Sequence, residues 1–530
     1  MSSRSEVQSS LSTTGDIDRS DVKDVNTGAK AKGGLYAARE KIFPKRVQGT
    51  FRRLKWIIMA VTLAIYYITP WLRWDRGPNA PDQAVLLDML HRRFYFFFIE
   101  IWPQEFYFVA GLLVMAGVGL FLVTSVVGRA WCGYSCPQTV WTDLFIAVES
   151  FFEGDRNARM KLDAAPYGLR KIGLRLAKHI TWLVIAVATG GAWIFYFADA
   201  PTLLKSFVTG EAPFVAYGTV GVLTATTYIF GGLMREQVCI YMCPWPRIQA
   251  AMLDEDSLVV TYNAWRGEPR SRGMKKSKAE GLVSGDCVDC NACVAVCPTG
   301  IDIRHGQQME CITCALCIDA CDDIMSKLGR QKGLIDYSTL RDYNHNMALV
   351  SSDGGQTIEP ARIRDANGGF IAGVRHFDWH VILRPRTFIY VGLWSLVGLG
   401  MLFALLTRDH LRVNVLHDRN PMAIKMSDGS IRNGFTVKLL NMQPDARSVT
   451  LSIDGLAGAE MTVAGVEGKQ GRSIDVPLQP DKLETLHVFV TVSPQLMKAG
   501  KNEFRFVASD FRVGSTAKYE ASFETEGLSQ

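Results

Sequence analysis

The sequence predicts a multi-domain membrane protein in three parts: an α-helical polytopic bundle of five transmembrane helices, an α/β cysteine-rich insert, and an all-β sandwich at the C-terminal end. Three observations predict it. Five uncharged apolar stretches are each close to the ~20 residues that a helix needs to cross roughly 30 Å of hydrocarbon. Eight of the twelve cysteines crowd into residues 287–321, between the fourth and fifth of those stretches. After residue 407, short alternating runs separated by turn residues replace the long apolar ones. A length of 530 residues leaves room for three or more units, and 48% hydrophobic content with a mean hydropathy just above zero is high for a wholly soluble chain. The formal charge of +6 is modest and not clustered, and no recognition-helix or RNA-binding signature accompanies it, so nucleic acid is excluded as a partner.

Residues 1–50 are Ser-, Asp-, Lys- and Gly-rich without apolar periodicity and read as a disordered cytoplasmic tail. The run Arg39, Lys41, Lys45, Arg46, Arg52, Arg53 and Lys55 is basic, and no signal-peptide pattern precedes it. A four-helix membrane domain over 51–253 follows, with spans at 56–72, 106–127, 180–198 and 212–234; a fifth span covers 387–407. Tyr66, Tyr67, Trp71, Trp102, Tyr107, Trp182 and Trp193 sit near span ends, as interfacial aromatics do.

Charge sets the orientation. The loop after the second span carries Arg129, Arg156, Arg159, Lys161, Arg170, Lys171, Arg175 and Lys178, whereas the loop after the third offers only Asp199, Lys205 and Glu211. The positive-inside rule puts the former in the cytoplasm, and an odd number of spans then leaves the C-terminus on the far side. Phe94 to Pro103 in the first outer loop is too short to span and is expected in the interface.

The cytoplasmic insert covers 254–386, with its core at 280–325 and a basic linker, Arg266 to Lys278, leading in. It reads Cys287-x2-Cys290-x2-Cys293-x3-Cys297-Pro298 and then Cys311-x2-Cys314-x2-Cys317-x3-Cys321. This repeated spacing is the two-cluster ferredoxin pattern: three thiolates wrap one iron–sulfur cube and the fourth reaches the other. Cys287, Cys290, Cys293 and Cys321 are therefore expected on one 4Fe-4S cluster, and Cys311, Cys314, Cys317 and Cys297 on the second. A zinc ribbon would leave the third and fourth cysteine of each run idle. Asp322 stands where the second copy would have proline, but no ligand is missing. The insert is expected to fold separately from the helices.

Residues 408–530 contain the runs 435–440, 448–453, 473–477, 486–492, 503–507 and 518–524, whose alternation and spacing read as an immunoglobulin-like sandwich on the periplasmic side. This region has no cysteine and no catalytic set. Scattered His410, His417 and His487 read as surface or packing residues.

The four remaining cysteines form a repeat. Cys132-Gly-Tyr134-Ser-Cys136-Pro137 follows the second span, and Cys239-Ile-Tyr241-Met-Cys243-Pro244 follows the fourth, so the membrane part reads as a duplicated two-helix unit. Cysteines at i and i+4 share a helix face, and two such pairs bring four thiolates together. Soft sulfur ligands suit cuprous copper, zinc or an iron–sulfur cluster; free cysteines also simply pack between helices.

With these motifs in hand, the chain resembles the membrane polyferredoxins of the CcoG, FixG or RdxA family, the accessory proteins of bacterial cbb-type cytochrome c oxidase. The resemblance covers nearly everything after the tail, including Trp71-Leu-Arg-Trp-Asp-Arg-Gly77, both C-x-Y-x-C-P repeats, the eight ferredoxin cysteines and the C-terminal domain. It implies an oxidoreductase of the bacterial inner membrane that reduces cupric to cuprous ion for the oxidase, with Cys132, Cys136, Cys239 and Cys243 as the copper site. Implied partners are the lipid bilayer, a cytosolic electron donor, and oxidase assembly factors or a copper-transporting ATPase. Two other functions stay open: a quinone-linked respiratory electron-transfer subunit, and a non-catalytic assembly scaffold. No nucleotide or flavin fingerprint is present, so the electrons must arrive from another molecule.

Overall fold

The computed structural model describes residues 41–525 apart from 79, 272–283, 352–369, 420, 444, 466–469, 481, 494, 496–500 and 513. Among the described residues five helices are long and apolar enough to cross a membrane: Thr50–Trp71, Pro103–Val127, Leu169–Ile194, Phe214–Met234 and Pro385–Leu406. The third was expected to begin at Ile180 and begins at Leu169 instead. Its added turns carry charge that is satisfied locally: Lys178 Nζ lies 2.7 Å from Glu153 and 3.5 Å from Glu149, and Arg175 lies 2.6 Å from Asp163. The helix therefore continues where hydropathy stops. The outer stretch expected in the interface folds into short strands, Arg93–Phe96 and Ile99–Ile101.

Two expectations need correcting. The tail was read as disordered to residue 50, but residues 41–49 are held on the protein: Lys41 pairs with Asp163 at 2.7 Å, Lys45 N–H donates to Ala295 O at 2.7 Å, and Arg46 N–H donates to Asp155 at 2.9 Å. The rest of that tail lies outside the described residues. The insert was expected to fold apart from the helices, yet it clusters with the first four spans as one compact unit.

A cap joins them. Asp319, on the insert helix Leu316–Lys327, accepts from the free N–H groups of Phe51 and Arg52 at 3.2 and 2.7 Å, so a carboxylate from the insert neutralises the positive end of the first membrane helix. Residue 49 must be glycine for this, because a Cβ there would sit 2.2 Å from the Asp319 carboxyl carbon. Of the expected basic linker, residues 272–278 lie outside the description. Arg266 at its start is buried and pairs with Asp286 at 2.5 Å, which makes it part of the insert's fold.

The C-terminal unit is an all-β immunoglobulin-like sandwich. One sheet runs Gln470–Gly471, Glu460–Val463, Leu483–Val492, Ile431–Asn441, Leu411–His417, with Ile424–Lys425 on Ile431–Asn441; the other runs Ser473–Leu478, Arg447–Asp454, Lys501–Asp510, Ser515–Glu524. The pairings within these two sheets are antiparallel. Phe435, Val437 and Leu439 point inward on alternate positions and meet Leu451, Phe504 and Phe506 in one apolar core.

Candidate functional site

The two cysteine runs of the insert fold into the same local shape. In the first, Asp289 and Asn291 flank Cys290 with φ of 50° and 57°; in the second, Thr313 and Ala315 flank Cys314 with φ of 55° and 57°. Four non-glycine residues in the left-handed region, at matching positions, mark a backbone bent for a purpose. Such bends turn successive N–H groups toward a common concavity, the arrangement that receives anionic groups including iron–sulfur centres. A short helix follows each bend, Ala292–Ala295 in one and Leu316–Lys327 in the other.

Each bend closes on a cavity. The first is lined by Cys287, Cys290, Cys293 and Cys321 among Tyr262, Met325, Leu334 and Ile335. The second is lined by Cys297, Cys311, Cys314 and Cys317 among Val260, Ile303 and Leu316, with Cys293 in the wall of both. Cys290 is exposed, whereas Cys293 and Cys314 are buried. Burial pushes the Cys293 and Cys311 thiols up to about 12 and raises Cys314, Cys317 and Cys321 as well. Thiols so placed become thiolates only against a positively charged partner, as metal ligands do. Four sulfurs around an apolar hollow, with left-handed bends beside them, fit a 4Fe-4S group in each cavity.

The braces of the two bends differ. Arg304 grips the first from within the insert, donating to Asp289 at 2.6 Å, Asn291 at 2.7 Å and Asp302 at 2.6 Å. The second is gripped from the membrane side. Arg129 donates to Met309 O, to Cys311 O at 3.2 Å and to Pro246 O at 2.8 Å, and Tyr134 O–H donates to Cys314 O at 3.3 Å.

The membrane repeat is visible in the backbone. The second span ends at Gly128 with φ 58° and ψ −126°, and the fourth at Arg235 with φ 40° and ψ −108°. A five-residue π-helical turn follows each, Trp131–Ser135 and Val238–Met242, closed by Cys136 N–H to Trp131 O at 2.9 Å and Cys243 N–H to Val238 O at 2.8 Å. The cysteine pairs thus bracket π-turns, which cluster at functional sites, and not α-helical turns as their spacing suggested. Pro137 opens the next helix at its first position, where a missing N–H costs nothing.

The four membrane thiols share one neighbourhood. Burial pushes Cys132 up to about 12, with Cys136, Cys239 and Cys243 adding to the rise; burial likewise pushes Cys239 up to about 12, with Cys136 and Cys243 adding. Among the described residues, however, no three or more His, Cys, Asp or Glu side chains converge tightly enough for a single metal ion. Cys132 Sγ–H donates to Gln249 Oε1 at 3.0 Å, and the fully buried Gln249 Nε2 donates to Thr124 Oγ1 at 3.2 Å. Cys132 also belongs to the apolar cluster of Ile312, Cys314 and Leu316.

Arg129, Arg304, Asp319 and Gln249 are site residues that sequence reasoning missed. Only the difference between the two repeats, Gly133 in one and Ile240 in the other, hinted that the first turn meets a close neighbour.

Comparison with known proteins adds to this geometry. Residues 234–340 match the "4Fe-4S dicluster domain" model, 108–153 the "4Fe-4S binding domain" model, and 401–526 the model for the "IG-like fold at C-terminal of FixG". The chain is 63% identical to the nitrogen fixation protein FixG of Rhizobium meliloti over 97% of its own length and 98% of that protein. It is 50% identical to protein RdxB of Cereibacter sphaeroides, covering 93% of this chain and 98% of that one, and 51% identical to protein RdxA of the same organism, covering 87% and 91%.

Proposed function

The chain belongs to the FixG, RdxA and RdxB family, a multi-pass iron–sulfur electron-transfer protein with a C-terminal immunoglobulin-like domain, and from that premise we propose that it is an oxidoreductase that reduces cupric to cuprous ion on its membrane thiols. In this reading Cys287, Cys290, Cys293 and Cys321 hold one 4Fe-4S group, and Cys311, Cys314, Cys317 and Cys297 the other. When bound, each group supplies a one-electron redox centre. Cys132, Cys136, Cys239 and Cys243 supply the thiols that take the copper substrate, drawing together as it binds because no three of them converge on one ion beforehand, and soft thiolates favour its reduced form. Gln249 orients Cys132, and the apolar packing around Cys132 excludes water. The insert and the N-terminus face the cytoplasm of a bacterium, where a cytosolic donor reaches them; the sandwich faces the periplasm, toward oxidase assembly factors or a copper-transporting ATPase.

The observation that carries this reading is the placement of Cys132, which one buried apolar cluster holds together with Cys314 of the second insert cavity. The test is cuprous formation, read with a colorimetric chelator, by dithionite-reduced protein freed of excess reductant. The double change Cys132→Ser and Cys239→Ser abolishes it; undiminished formation in the double variant moves copper elsewhere. The crossed ligand sets have their own test: Cys287→Ser and Cys297→Ser remove different paramagnetic signals, and loss of the same one from both refutes the assignment.

A second reading has specific support. The "4Fe-4S binding domain" match spans the first membrane cysteine pair, and a cube accepts sulfurs set wider apart than a single ion does. If the four membrane thiols hold a further cluster, anaerobically purified protein contains about twelve iron atoms per chain instead of about eight.

A further inference from the structure

The first membrane turn touches the second cavity of the insert more closely than any side chain would permit. A Cβ on Gly133 would lie 2.7 Å from Ile312 O, 3.0 Å from Thr313 O and 3.1 Å from Cys314 Cα. Next to it Tyr134, only 7% exposed, donates to Cys314 O. Cys132 on the same turn belongs to one buried apolar cluster with Ile312, Cys314 and Leu316, so a membrane thiol and the cavity wall share packing. The second turn is unlike this: Tyr241 and Met242 are 60% and 52% exposed. The first cavity presents Cys290 to solvent, and Cys293 lines both cavities.

We infer that electrons cross this molecule in one direction, entering at the solvent-facing first cavity and leaving the second cavity through the contact of Gly133 and Tyr134 with the Ile312–Cys314 loop. The exit serves the membrane thiols, so the inference rests on the metal-reductase reading above. Gly133 and Tyr134 are positioning residues that set the gap. Each transfer would move one electron: Cys297, Cys311, Cys314 and Cys317 would hold the iron–sulfur group that supplies it, and the membrane thiols would present the cupric ion that it reduces to cuprous. A reduced electron-carrier protein of the cytosol restores the lost electron at the Cys290 side. No heavy-atom bond forms or breaks in the wall.

The test uses the full chain, purified anaerobically in detergent, as Gly133→Val, Tyr134→Phe and Tyr241→Phe. One readout is the rate at which pre-reduced protein is reoxidised by cupric ion. The other involves no turnover: cobalt(II), which thiols bind without being oxidised, broadens the paramagnetic signal of the nearer reduced cluster. A side chain at 133 must push the turn away from the Ile312–Cys314 loop, so Gly133→Val is expected to slow reoxidation severalfold and to weaken the cobalt broadening, with iron content unchanged. Tyr134→Phe slows it less, and Tyr241→Phe not at all. Should Gly133→Val lose iron, Tyr134→Phe decides, since it removes one hydroxyl. Parent-like rate and broadening in Tyr134→Phe, or in an iron-replete Gly133→Val, overturn the exit route. A parent protein in which the membrane thiols take up neither cobalt nor copper overturns the metal-reductase reading itself, and the exit route with it.

Discussion

The two cysteine-lined cavities have matching left-handed bends at Asp289 and Asn291 and at Thr313 and Ala315, but different residues steady those bends. In the first, Arg304 reaches across from fifteen residues away and ties Asp289, Asn291 and Asp302 together inside the insert. In the second, the corresponding restraint comes from 180 residues away, where Arg129 and Tyr134 reach out of the membrane turn to the carbonyls of Met309, Cys311 and Cys314. A duplicated cysteine spacing therefore fixes a backbone shape, while the neighbour that completes the shape decides whether the bend is held from within the insert or from the membrane turn. The membrane turns teach the same lesson. Their φ angles match at Gly128 and Arg235, yet one turn is buried against the insert and the other is exposed.

Removing the braces breaks this comparison most directly. Arg129→Leu strips donors from three carbonyls, and hydrogen bonds from a charged group contribute ~1.5–3 kcal/mol each, so the second cavity should lose several kcal/mol. The expected outcome is loss of one cluster, from about eight iron atoms per chain to about four, with the other reduced-cluster signal intact. Arg304→Leu is the mirror experiment and should spare the second cavity. Iron analysis with paramagnetic resonance checks both, and loss of the same signal from the two variants would show that the braces are not divided in this way.

Much of this division could not be read from the chain, for physical reasons. Cysteine spacing is local, so it exposed both cavities and both membrane turns; hydropathy is local too, and it found five spans. Asp319 looked like an ordinary surface acid on a helix, because nothing near it in sequence shows that the N–H groups of Phe51 and Arg52 will meet it. Leu169 to His179 looked like a basic loop, because its cations find Asp163, Glu149 and Glu153 only after folding. Gln249 sits in a short apolar helix with no motif around it, and its role appears only when Cys132 and Thr124 arrive on either side. In the sandwich, Glu460–Val463 has too few residues for its alternation to stand out.

Gln249 sharpens the contrast between the two membrane turns, since its amide touches Cys132. Outer partners of metal ligands typically change affinity by roughly 10–100-fold. Gln249→Leu should weaken copper retention within that range, measured by competition with a cuprous chelator, and leave the iron count alone. An affinity equal to the parent's would make Gln249 a packing residue only.

Asp319 tests how firmly the membrane side holds the second cavity. Its carboxylate caps the first span, and loss of such a cap costs about 1 kcal/mol, occasionally twice that. Asp319→Ala should lower the thermal midpoint of the detergent-solubilised protein modestly while keeping both clusters. Loss of the second cluster would mean that the cap is also part of its brace.

The smallest effect concerns Asp254, which lies beside the same cavity in a cleft shared with Arg129, Met309 and Cys311. Arg384 and Arg386, at the entry to the fifth span, each reach its carboxylate at 2.7 Å. Burial alone would raise its pKa, but hydrogen bonds from Arg384, Ser257 and Arg386 outweigh that and lower it to about 2, from an ordinary 3.8. A carboxyl group depressed on folding contributes stability that is fully present above its unfolded value and is lost as pH falls through its folded value. The window therefore runs from about pH 4 down to about pH 2. Because the side chain is partly exposed, solvent screening keeps the contribution small, about 0–1 kcal/mol at neutral pH. Asp254→Asn should sit slightly below the parent in thermal midpoint at neutral pH and converge with it as the pH falls through that window. A constant gap between the two curves down to pH 2 would show that the ion pairs with Arg384 and Arg386 are not what holds the fifth span against this side of the insert.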